Sequence, residues 1–236
     1  MSVAFEFTGV RKSYGRVEAV AGVDLRVEPG TFLGLIGHNG AGKSTCLRML
    51  AGLLRPTEGQ IQVGGIDVVT SPREARRRLG VVPEEPALYP YLTAREYLEF
   101  VASVREADGV DDALALSGLG VDADRLIREY SQGMRRRTAL AAAFLGQPSV
   151  LVLDEALNGL DPPSAARVKT ALREACDRGQ TVVLSTHVVE TVQAVADRVV
   201  MLAHGRIVAD ERVSELGDQG LEELFLERLS ASIRKE

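Results

Sequence analysis

A glycine-rich stretch at residues 37–45 has the residue types and spacing of a phosphate-binding P-loop. It lies between an apolar run at 31–36, which predicts a buried strand, and a helical pattern that begins at Cys46. Its glycines let successive N–H groups point at phosphate oxygens, and the positive end of the helix dipole reinforces such binding. A plain strand-to-helix turn would not require Lys and Ser after the last glycine. The stretch consists of Gly37, His38, Asn39, Gly40, Ala41, Gly42, Lys43, Ser44 and Thr45.

Specific chemistry can be assigned to two residues of this stretch and to an acidic pair further on. Lys43 can reach the β- and γ-phosphates of a nucleotide, and the Ser44 hydroxyl can ligate Mg²⁺. Asp154 and Glu155 follow a second apolar run at 149–153. Asp154 can hold Mg²⁺ through its water shell, and Glu155 can act as general base toward the attacking water. Adjacent acids at a strand end are often only a polar turn, but the upstream P-loop favours catalysis.

Composition limits the remaining possibilities. The 236 residues are 45% hydrophobic, which is typical of a globular chain with one core and room for a small lobe. A net charge of −5 provides no general basic field, so nucleic acid is not an expected partner. The two cysteines fit a reducing cytosol, and we expect neither a cleavable signal nor a membrane span. The short arginine runs at 76–78 and 135–137 are expected to be solvated helix faces.

The order of predicted elements indicates an α/β protein with an inserted helical lobe. Strands are predicted at 4–8 and 23–27, with a turn at 11–15 between them. Thr93 and Glu96 form a capping box at the start of a helix in the lobe. Further helices are predicted at 111–116 and 122–130, and later at 162–178 and 188–195. Buried strands are expected at 149–153 and 181–185, two more strands at 198–202 and 206–209, and an amphipathic helix from Val213 with Leu221, Leu224, Phe225 and Leu229 on one face.

Several short motifs follow in an order that resembles the ATP-binding-cassette (ABC) ATPases. Residues 130–134, Tyr-Ser-Gln-Gly-Met, resemble the signature motif of that family, whose common form is Leu-Ser-Gly-Gly-Gln. Residues 158–161 resemble its D-loop, and residues 185–187 its switch-histidine motif. Tyr14 stands where the family has an aromatic A-loop residue that stacks on adenine. An isolated tyrosine in a hairpin could equally cover the edge of the core.

The resemblance implies the fold and a division of the chain. The fold would be a P-loop (RecA-like) core with a mainly parallel sheet, an N-terminal antiparallel β subdomain and an inserted α-helical subdomain. One ABC ATPase domain would span 1–236. Its nucleotide-binding core would comprise 1–83 and 141–210, its helical signature subdomain 84–140 and its C-terminal helical tail 211–236.

The resemblance also implies that two cassettes pack head to tail around ATP and Mg²⁺. Each nucleotide would lie between the P-loop of one subunit and Ser131, Gln132 and Gly133 of the other. His187 would contact the γ-phosphate within its own subunit, and Asp161 would organise the interface from the opposite one. Closure would then depend on the γ-phosphate, and hydrolysis would let the pair reopen.

The chain departs from the family pattern in three motifs. The expected Q-loop glutamine is Glu84, whose carboxylate can still bind Mg²⁺ but adds negative charge beside the phosphates. Gln132 and Met134 stand in the signature where Gly and Gln are usual. Ala156 follows Glu155 in place of the usual proline, which should change the stiffness of the turn more than the chemistry.

Within the family, the chain looks like the ATPase subunits of bacterial ABC-2-type exporters. The features that carry this likeness are the tyrosine in the signature, the segment 83–90 and the segment 221–226. Implied partners are a separate ABC-2-type permease and a second ATPase subunit, expected to form a homodimer. The protein would then lie at the cytoplasmic face of the cell membrane, held there by the permease. Segment 84–104 would dock the permease, although Tyr89, Tyr91 and Leu92 could instead pack only the helical lobe.

Two other functional classes remain open from the sequence. One is a mechanical or scaffold ATPase that is not a transporter. The other is a nucleotide-binding regulator with little ATP turnover, a class suggested by Glu84 and by the altered signature motif. The sequence contains nothing that identifies a cargo.

Overall fold

The computed structural model describes residues 3–216 together with Leu221 and Glu223. The described part contains two β-sheets, a helical lobe and further helices packed on the larger sheet. The strands are β1 (Phe5–Tyr14), β2 (Val17–Val27), β3 (Phe32–Ile36), β4 (Glu58–Val63), β5 (Ile66–Asp67), β6 (Leu79–Val82), β7 (Val150–Asp154), β8 (Thr181–Thr186), β9 (Arg198–Ala203) and β10 (Arg206–Arg212). The helices are α1 (Lys43–Leu50), α2 (Pro72–Arg77), α3 (Ala94–Arg105), α4 (Val110–Ser117), α5 (Gln132–Phe144), α6 (Pro162–Asp177) and α7 (Val189–Val195).

The larger sheet has the strand order β10-β9-β3-β8-β7-β6. Its strands run parallel except for β10, which pairs antiparallel with β9 at the edge. All residues of β3 and β7 are buried, which explains why both are continuous apolar runs in the sequence. The predicted P-loop core with a mainly parallel sheet is confirmed.

The smaller sheet is antiparallel, with the order β2-β1-β4-β5. Helix α1 packs between the two sheets. Its Leu47 and Leu50 share one buried cluster with Phe5 and Phe7 of β1 and with Val183 of β8. This sandwiching fixes the helix that follows the P-loop against both sheets. The predicted N-terminal antiparallel subdomain is also confirmed.

The strand-and-turn prediction for residues 11–15 is wrong in its bounds. Strand β1 continues to Tyr14 and β2 already begins at Val17, so the turn is confined to residues 15–16. The ladder bulges between Phe7 and Val10 and again near Ser13. These bulges let polar residues extend the hairpin beyond the apolar alternation on which the prediction depended.

Helices α3, α4 and α5 form the inserted lobe. The capping box is confirmed: the Thr93 hydroxyl accepts a hydrogen bond from the Glu96 N–H at 3.1 Å, and the Glu96 carboxylate accepts one from the Thr93 N–H at 2.9 Å. The lobe has its own small core, which includes Leu98, Ala113 and Leu145.

The helix predicted at 122–130 is wrong. Two short 3₁₀ turns, Gly120–Asp124 and Ile127–Glu129, occupy this region instead. The backbone N–H of Ile127 donates to the carbonyl of Leu92 at 2.8 Å, and that of Arg128 donates to the carbonyl of Pro90 at 2.9 Å. Because these groups bond to a distant segment, they are not available for an α-helical ladder.

The predicted tail at 211–236 lies largely outside the described residues. Strand β10 runs to Arg212, beyond the predicted end at 209, and residues Val213–Glu215 form a 3₁₀ turn. Leu221 is helical and buried, whereas Leu224, Phe225 and Leu229 lie outside the described part. Over the residues that the structure describes, no helix is both long and apolar enough to span a membrane.

Candidate nucleotide-binding site

The carboxyl edge of the parallel sheet brings the separate sequence motifs together. In the ladder, Ile36 at the end of β3 pairs with Thr186, and Asp154 at the end of β7 pairs with Ser185. The P-loop, the acidic pair and the switch-histidine motif therefore leave the sheet at one edge. Ligands of open α/β sheets bind at this end of the strands.

The P-loop turns sharply into α1 because glycine allows it. Gly42 is the residue before α1 and has a φ of 106°. A Cβ at this position would lie 2.6 Å from the carbonyl oxygen of Ala19 in β2. Strand β2 therefore supports the loop from behind, and only glycine fits between them.

Lys43 is buried inside the loop. Its Nζ donates to the carbonyl oxygen of Gly37 at 2.7 Å and to that of His38 at 3.2 Å, and it lies 4.0 Å from Oε1 of Glu155. Burial lowers the pKa of Lys43, while the nearby charges of Glu155, Asp154 and Glu84 oppose that shift. The ammonium is thus held in the low-dielectric interior of the loop by groups that favour its charged form.

Ser44, Asp154 and Ser185 form an oxygen-rich corner beside Lys43. The Ser44 hydroxyl donates to Oδ1 of Asp154 at 3.1 Å, and the Ser185 hydroxyl donates to the same oxygen at 2.5 Å. Asp154 is 4% exposed, so these bonds satisfy a carboxylate that water hardly reaches. Hydroxyl and carboxylate oxygens are the ligands that Mg²⁺ prefers.

Glu155 is held in a conformation that glutamate rarely adopts. Its φ of 49° is left-handed, and its N–H lies 3.1 Å from the Ser185 carbonyl and 3.2 Å from the Ser185 hydroxyl. The amide of Asn158 donates to Oε2 of Glu155 at 2.7 Å. Nδ1 of His187 lies 3.2 Å from both carboxylate oxygens. The carboxylate is therefore fixed from two sides, while His187 remains half exposed.

His38 and Asn39 form the outer part of the loop. Nδ1 of His38 lies 2.7 Å from the carbonyl oxygen of Asn39, and the His38 ring is 5.3 Å from that of His204. The other loop residues follow the strand-to-helix turn, with Ala41 buried and Thr45 partly buried within α1.

Glu84 lies just after β6, which is the edge strand beside β7. Its side chain is exposed, and its charge acts on Lys43 in the direction that raises the lysine pKa. Its carbonyl oxygen accepts a hydrogen bond of 2.6 Å from Nη2 of Arg136. Glu84 is thus tied to α5 through its backbone.

Ser131, Gln132 and Gly133 are not brought to the P-loop of their own chain. Ser131 accepts a hydrogen bond from the Met134 N–H at 3.2 Å and so caps α5, and Ser131 and Gln132 are exposed. No hydrogen bond or ion pair among the described residues joins these three to the P-loop. Asp161 similarly caps α6 by accepting from the Ser164 N–H at 2.9 Å, and this bond lowers the pKa of Asp161.

Tyr14 ends β1, opposite Val17. Its side chain is 48% exposed, and the ammonium of Lys12 lies 5.4 Å from the centre of its ring. Nearly half of the side chain is therefore available for contact, and stacking on adenine stays a prediction.

Sequence reasoning missed three supporting residues. The sequence places Ser185 and Asn158 in motifs but predicts no contact for either, whereas Ser185 donates to Asp154 and Asn158 donates to Glu155. Arg136 was expected on a solvated face, which is wrong, since it is 5% exposed. The signal available for Ser185 is its place at the end of the buried strand predicted at 181–185.

Comparison with known proteins agrees with this geometry. A family model described as ABC transporter matches residues 20–158, more than half of the chain. The chain belongs to the ABC transporter family. It is an ATP-binding cassette, and the activity of this cassette is ATP hydrolysis. The predicted ABC ATPase identity is thereby confirmed.

The relatives include ATP-binding proteins of several bacteria. The chain is 39% identical over 219 residues to the daunorubicin/doxorubicin resistance ATP-binding protein DrrA of Streptomyces peucetius, covering 90% of this chain and 66% of that protein. It is 38% identical to the Nod factor export ATP-binding protein I of Rhizobium etli, covering 92% and 70%. It is 33% identical to the bacitracin transport ATP-binding protein BcrA of Bacillus licheniformis, covering 89% and 70%. The chain therefore spans about two thirds of the length of these relatives.

Solved structures share the fold closely. The ATP-binding subunit of an ABC transporter matches with a TM-score of 0.88 at 28% identity, covering 95% of this chain and 99% of that one. A dimeric ATP-binding cassette in a post-hydrolysis state, bound to ADP and Pi, matches with a TM-score of 0.82 at 25% identity, covering 89% and 98%.

Proposed function

We propose that this cassette is the ATP-hydrolysing subunit of a bacterial exporter, working as a homodimer with a separate ABC-2-type permease. The names of the relatives support this proposal, since they refer to drug resistance, Nod factor export and bacitracin transport. The observation that carries the hydrolytic part is the fixed Glu155 carboxylate beside the buried Lys43.

The nucleotide would lie along the P-loop with its adenine on Tyr14. N–H groups of residues 37–45 and the Lys43 ammonium would bind the phosphate oxygens, and the start of α1 would add its dipole. Mg²⁺ would be held by Ser44 and Asp154, with Glu84 as a further oxygen ligand. These residues fit the ion because Ser44 and Asp154 already place two oxygens 3.1 Å apart. Bound there, Mg²⁺ would neutralise charge on the phosphates.

Glu155 would act as the general base of hydrolysis. Asn158 holds one carboxylate oxygen, and Ser185 holds the backbone N–H, so the carboxylate keeps one orientation. A carboxylate fixed in this way can accept a proton from a water that attacks the γ-phosphate. His187, at 3.2 Å from the same carboxylate, would contact the γ-phosphate and orient the base from its exposed side.

The signature residues would complete the site of a second subunit. Ser131 and Gln132 are exposed, and Gly133 lies at the start of the capped helix α5, whose N–H groups favour an anion. Asp161, at the start of α6, would organise the same interface. Since these residues lie apart from their own P-loop, a head-to-tail pair would give each of them a nucleotide to bind.

A mixing experiment tests this shared site. Lys43→Ala removes the ammonium of the P-loop, and Ser131→Arg replaces the hydroxyl of the signature motif by a bulky cation. Each variant alone should lack ATPase activity. In a head-to-tail pair, the mixed dimer retains one intact site, so an equal mixture should recover about a quarter of wild-type activity if the sites act independently. No recovery after mixing, or full activity of Ser131→Arg alone, would contradict the shared site.

The permease would dock on an aromatic cluster of the helical lobe, which we define as Tyr89, Tyr97 and Phe100. The ring of Tyr89 lies 6.2 Å from that of Tyr97 and 5.4 Å from that of Phe100. Tyr89 is 54% exposed and Phe100 45% exposed. Exposed aromatic side chains of this kind are favoured at protein interfaces. Docking there would place the cassette at the cytoplasmic face of the membrane.

Co-purification from detergent-solubilised membranes tests the docking proposal. A tagged wild-type chain should retain a protein with several membrane-spanning helices, identified by mass spectrometry. Phe100→Glu should lose it, whereas Val121→Glu should keep it, because Val121 is 90% exposed in the turn Gly120–Asp124 and is not a member of the aromatic cluster. Equal retention by both variants would show that the aromatic cluster is not the docking surface.

A further inference from the structure

Arg136 is a buried cation with an unusual set of partners. It lies one turn into α5, five residues after the cap Ser131, and is 5% exposed. Among the residues that the structure describes, no carboxylate forms an ion pair with Arg136. Nε of Arg136 is buried with no hydrogen-bond partner, so the two Nη atoms alone stabilise the charge.

The two Nη atoms of Arg136 bond to two different loops. Nη2 donates to the carbonyl oxygen of Glu84 at 2.6 Å, and Nη1 donates to the carbonyl oxygen of Asn158. Nη1 also lies 3.8 Å from where a Cβ on Gly159 would be. One guanidinium therefore joins the start of α5 to the loop after β6 and to the loop after β7.

The second of these loops carries the group that holds Glu155. Asn158 accepts from Arg136 through its backbone and donates to Oε2 of Glu155 through its side chain at 2.7 Å. The position of Arg136 is thus transmitted through one residue to the carboxylate. Glu84, at the other end of the guanidinium, acts on Lys43 across the same site.

We infer that Arg136 is a positioning residue for hydrolysis, which ties the signature helix to both the Glu84 loop and the Asn158 loop and thereby orients the Glu155 carboxylate. This inference rests on the proposed role of Glu155 as general base. The planar fork of arginine is what allows two carbonyls from separate loops to be held at once. Lysine keeps the charge but is a single point donor, so it cannot hold both in the same geometry.

The neighbouring arginines provide matched controls. Arg137 also donates to backbone carbonyls, those of Ser117 and Gly118 at 3.3 and 3.0 Å, but these lie at the end of α4. Arg135 is exposed and donates to the carbonyl of Arg128 at 3.3 Å. Arg137→Lys and Arg135→Lys thus change the same residue type in the same helix at positions that donate no hydrogen bond to Glu84 or Asn158, and Arg137→Lys keeps the positive charge that acts on Asp161.

The test compares kcat, KM for Mg-ATP and the melting temperature of Arg136→Lys with those of the two controls. We expect Arg136→Lys to lower kcat about tenfold or more, as small misplacements of a reacting group do. KM should stay within about twofold of wild type, because Arg136 contacts none of residues 37–45. KM rises when a variant loses contacts that bind the substrate equally in the ground state and the transition state, and Arg136 makes no such contact. The controls should keep wild-type kcat.

A double-mutant cycle separates positioning from a general structural role. Asn158→Ala removes the amide that holds Glu155, so Arg136→Lys should lower kcat no further in that background if it acts through Asn158. If the fold-loss in kcat of the double variant equals the product of the two single losses, the inference is overturned. It is also overturned if Arg136→Lys fails to fold, if its kcat equals that of wild type, or if Arg137→Lys loses as much kcat.

Glu155→Gln in the same assay distinguishes failure of this inference from failure of the proposed function. If Glu155→Gln hydrolyses ATP at the wild-type rate, the role of Glu155 as base is wrong, and the positioning role of Arg136 falls with it. If Glu155→Gln is inactive while Arg136→Lys is unaffected, only the role of Arg136 is wrong.

Discussion

The Ser185 hydroxyl donates a hydrogen bond of 2.5 Å to Oδ1 of Asp154, joining the ends of β8 and β7. The two residues are also partners in the parallel ladder, so the backbone register places the hydroxyl beside the carboxylate. Ser44 donates to the same oxygen from α1. The arrangement of three elements around one oxygen suggests a direct test.

Ser185→Ala should lower the free energy of unfolding by about 1–3 kcal/mol, because a buried carboxylate loses one of its donors. Urea denaturation would measure this loss. Ser149→Ala is the control, since the Ser149 hydroxyl bonds the Arg78 carbonyl at 3.2 Å in an exposed position, and its removal should cost no more than about 0.5 kcal/mol. Equal losses in the two variants would contradict the importance of the Ser185–Asp154 bond.

Glu155→Gln should reduce ATP turnover by about a hundredfold or more, because an amide cannot accept the proton of the attacking water. Nucleotide binding should remain, so the variant should be trapped as an ATP-bound dimer that elutes early in size-exclusion chromatography. Glu190→Gln, an exposed change on α7, should behave as wild type. Monomeric elution of Glu155→Gln under saturating Mg-ATP would argue against ATP-driven pairing.

Gly42→Ala should destabilise the protein more than Gly40→Ala. Both glycines have positive φ, 106° and 83°, so alanine is strained at each by about 1 kcal/mol. At Gly42 the added Cβ also meets the Ala19 carbonyl at 2.6 Å, whereas at Gly40 it meets nothing within 4 Å. The clash should add about 1–3 kcal/mol, measured by chemical denaturation. If Gly40→Ala is the more damaging variant, β2 does not support the loop as described.

The two thiols should be unreactive in the folded protein. Burial raises the pKa of Cys46 to about 12 and that of Cys176 to about 11. At pH 8 a thiol-specific reagent should therefore label both cysteines only after unfolding in urea. Rapid labelling of the native protein would show that one of these sites opens.

The same shifts predict a loss of stability at alkaline pH. Because both folded pKa values lie above the ordinary 9.0, the unfolded chain releases thiol protons that the folded chain keeps. The thiol contribution to stability is therefore complete below about pH 9 and is lost as pH rises toward 11 and 12. Cys46→Ala should show a shallower alkaline decline than wild type in denaturation at several pH values. An unchanged slope would contradict burial of this thiol.

The sequence predicts most elements of the core because their signals are local. The continuous apolar runs of β3 and β7, the glycines of the P-loop and the Thr93 capping box each determine structure over a few residues. The helix predicted at 122–130 is wrong because the backbone of this segment bonds to Pro90 and Leu92, a contact between distant segments that no local pattern records.

The supporting residues of the site were difficult to predict for a related reason. The run at 135–137 consists of three arginines, but only Arg136 donates hydrogen bonds to both the Glu84 loop and the Asn158 loop. A helix places consecutive residues about 100° apart, so neighbours in such a run face different surroundings. Which of them is buried depends on the packing of the lobe on the core, and the sequence alone does not reveal that packing.

The left-handed backbone at Glu155 limits which residues could replace it. Glycine and asparagine adopt that conformation at lower cost than glutamate, but neither supplies a carboxylate to the buried Lys43 ammonium, which lies 4.0 Å from Oε1 of Glu155. Removing one partner of a buried charge pair costs about 3–5 kcal/mol, more than the roughly 1–3 kcal/mol of strain at a single residue. Directed evolution toward a hardier enzyme must therefore hold position 155 constant and seek its gains elsewhere in the chain.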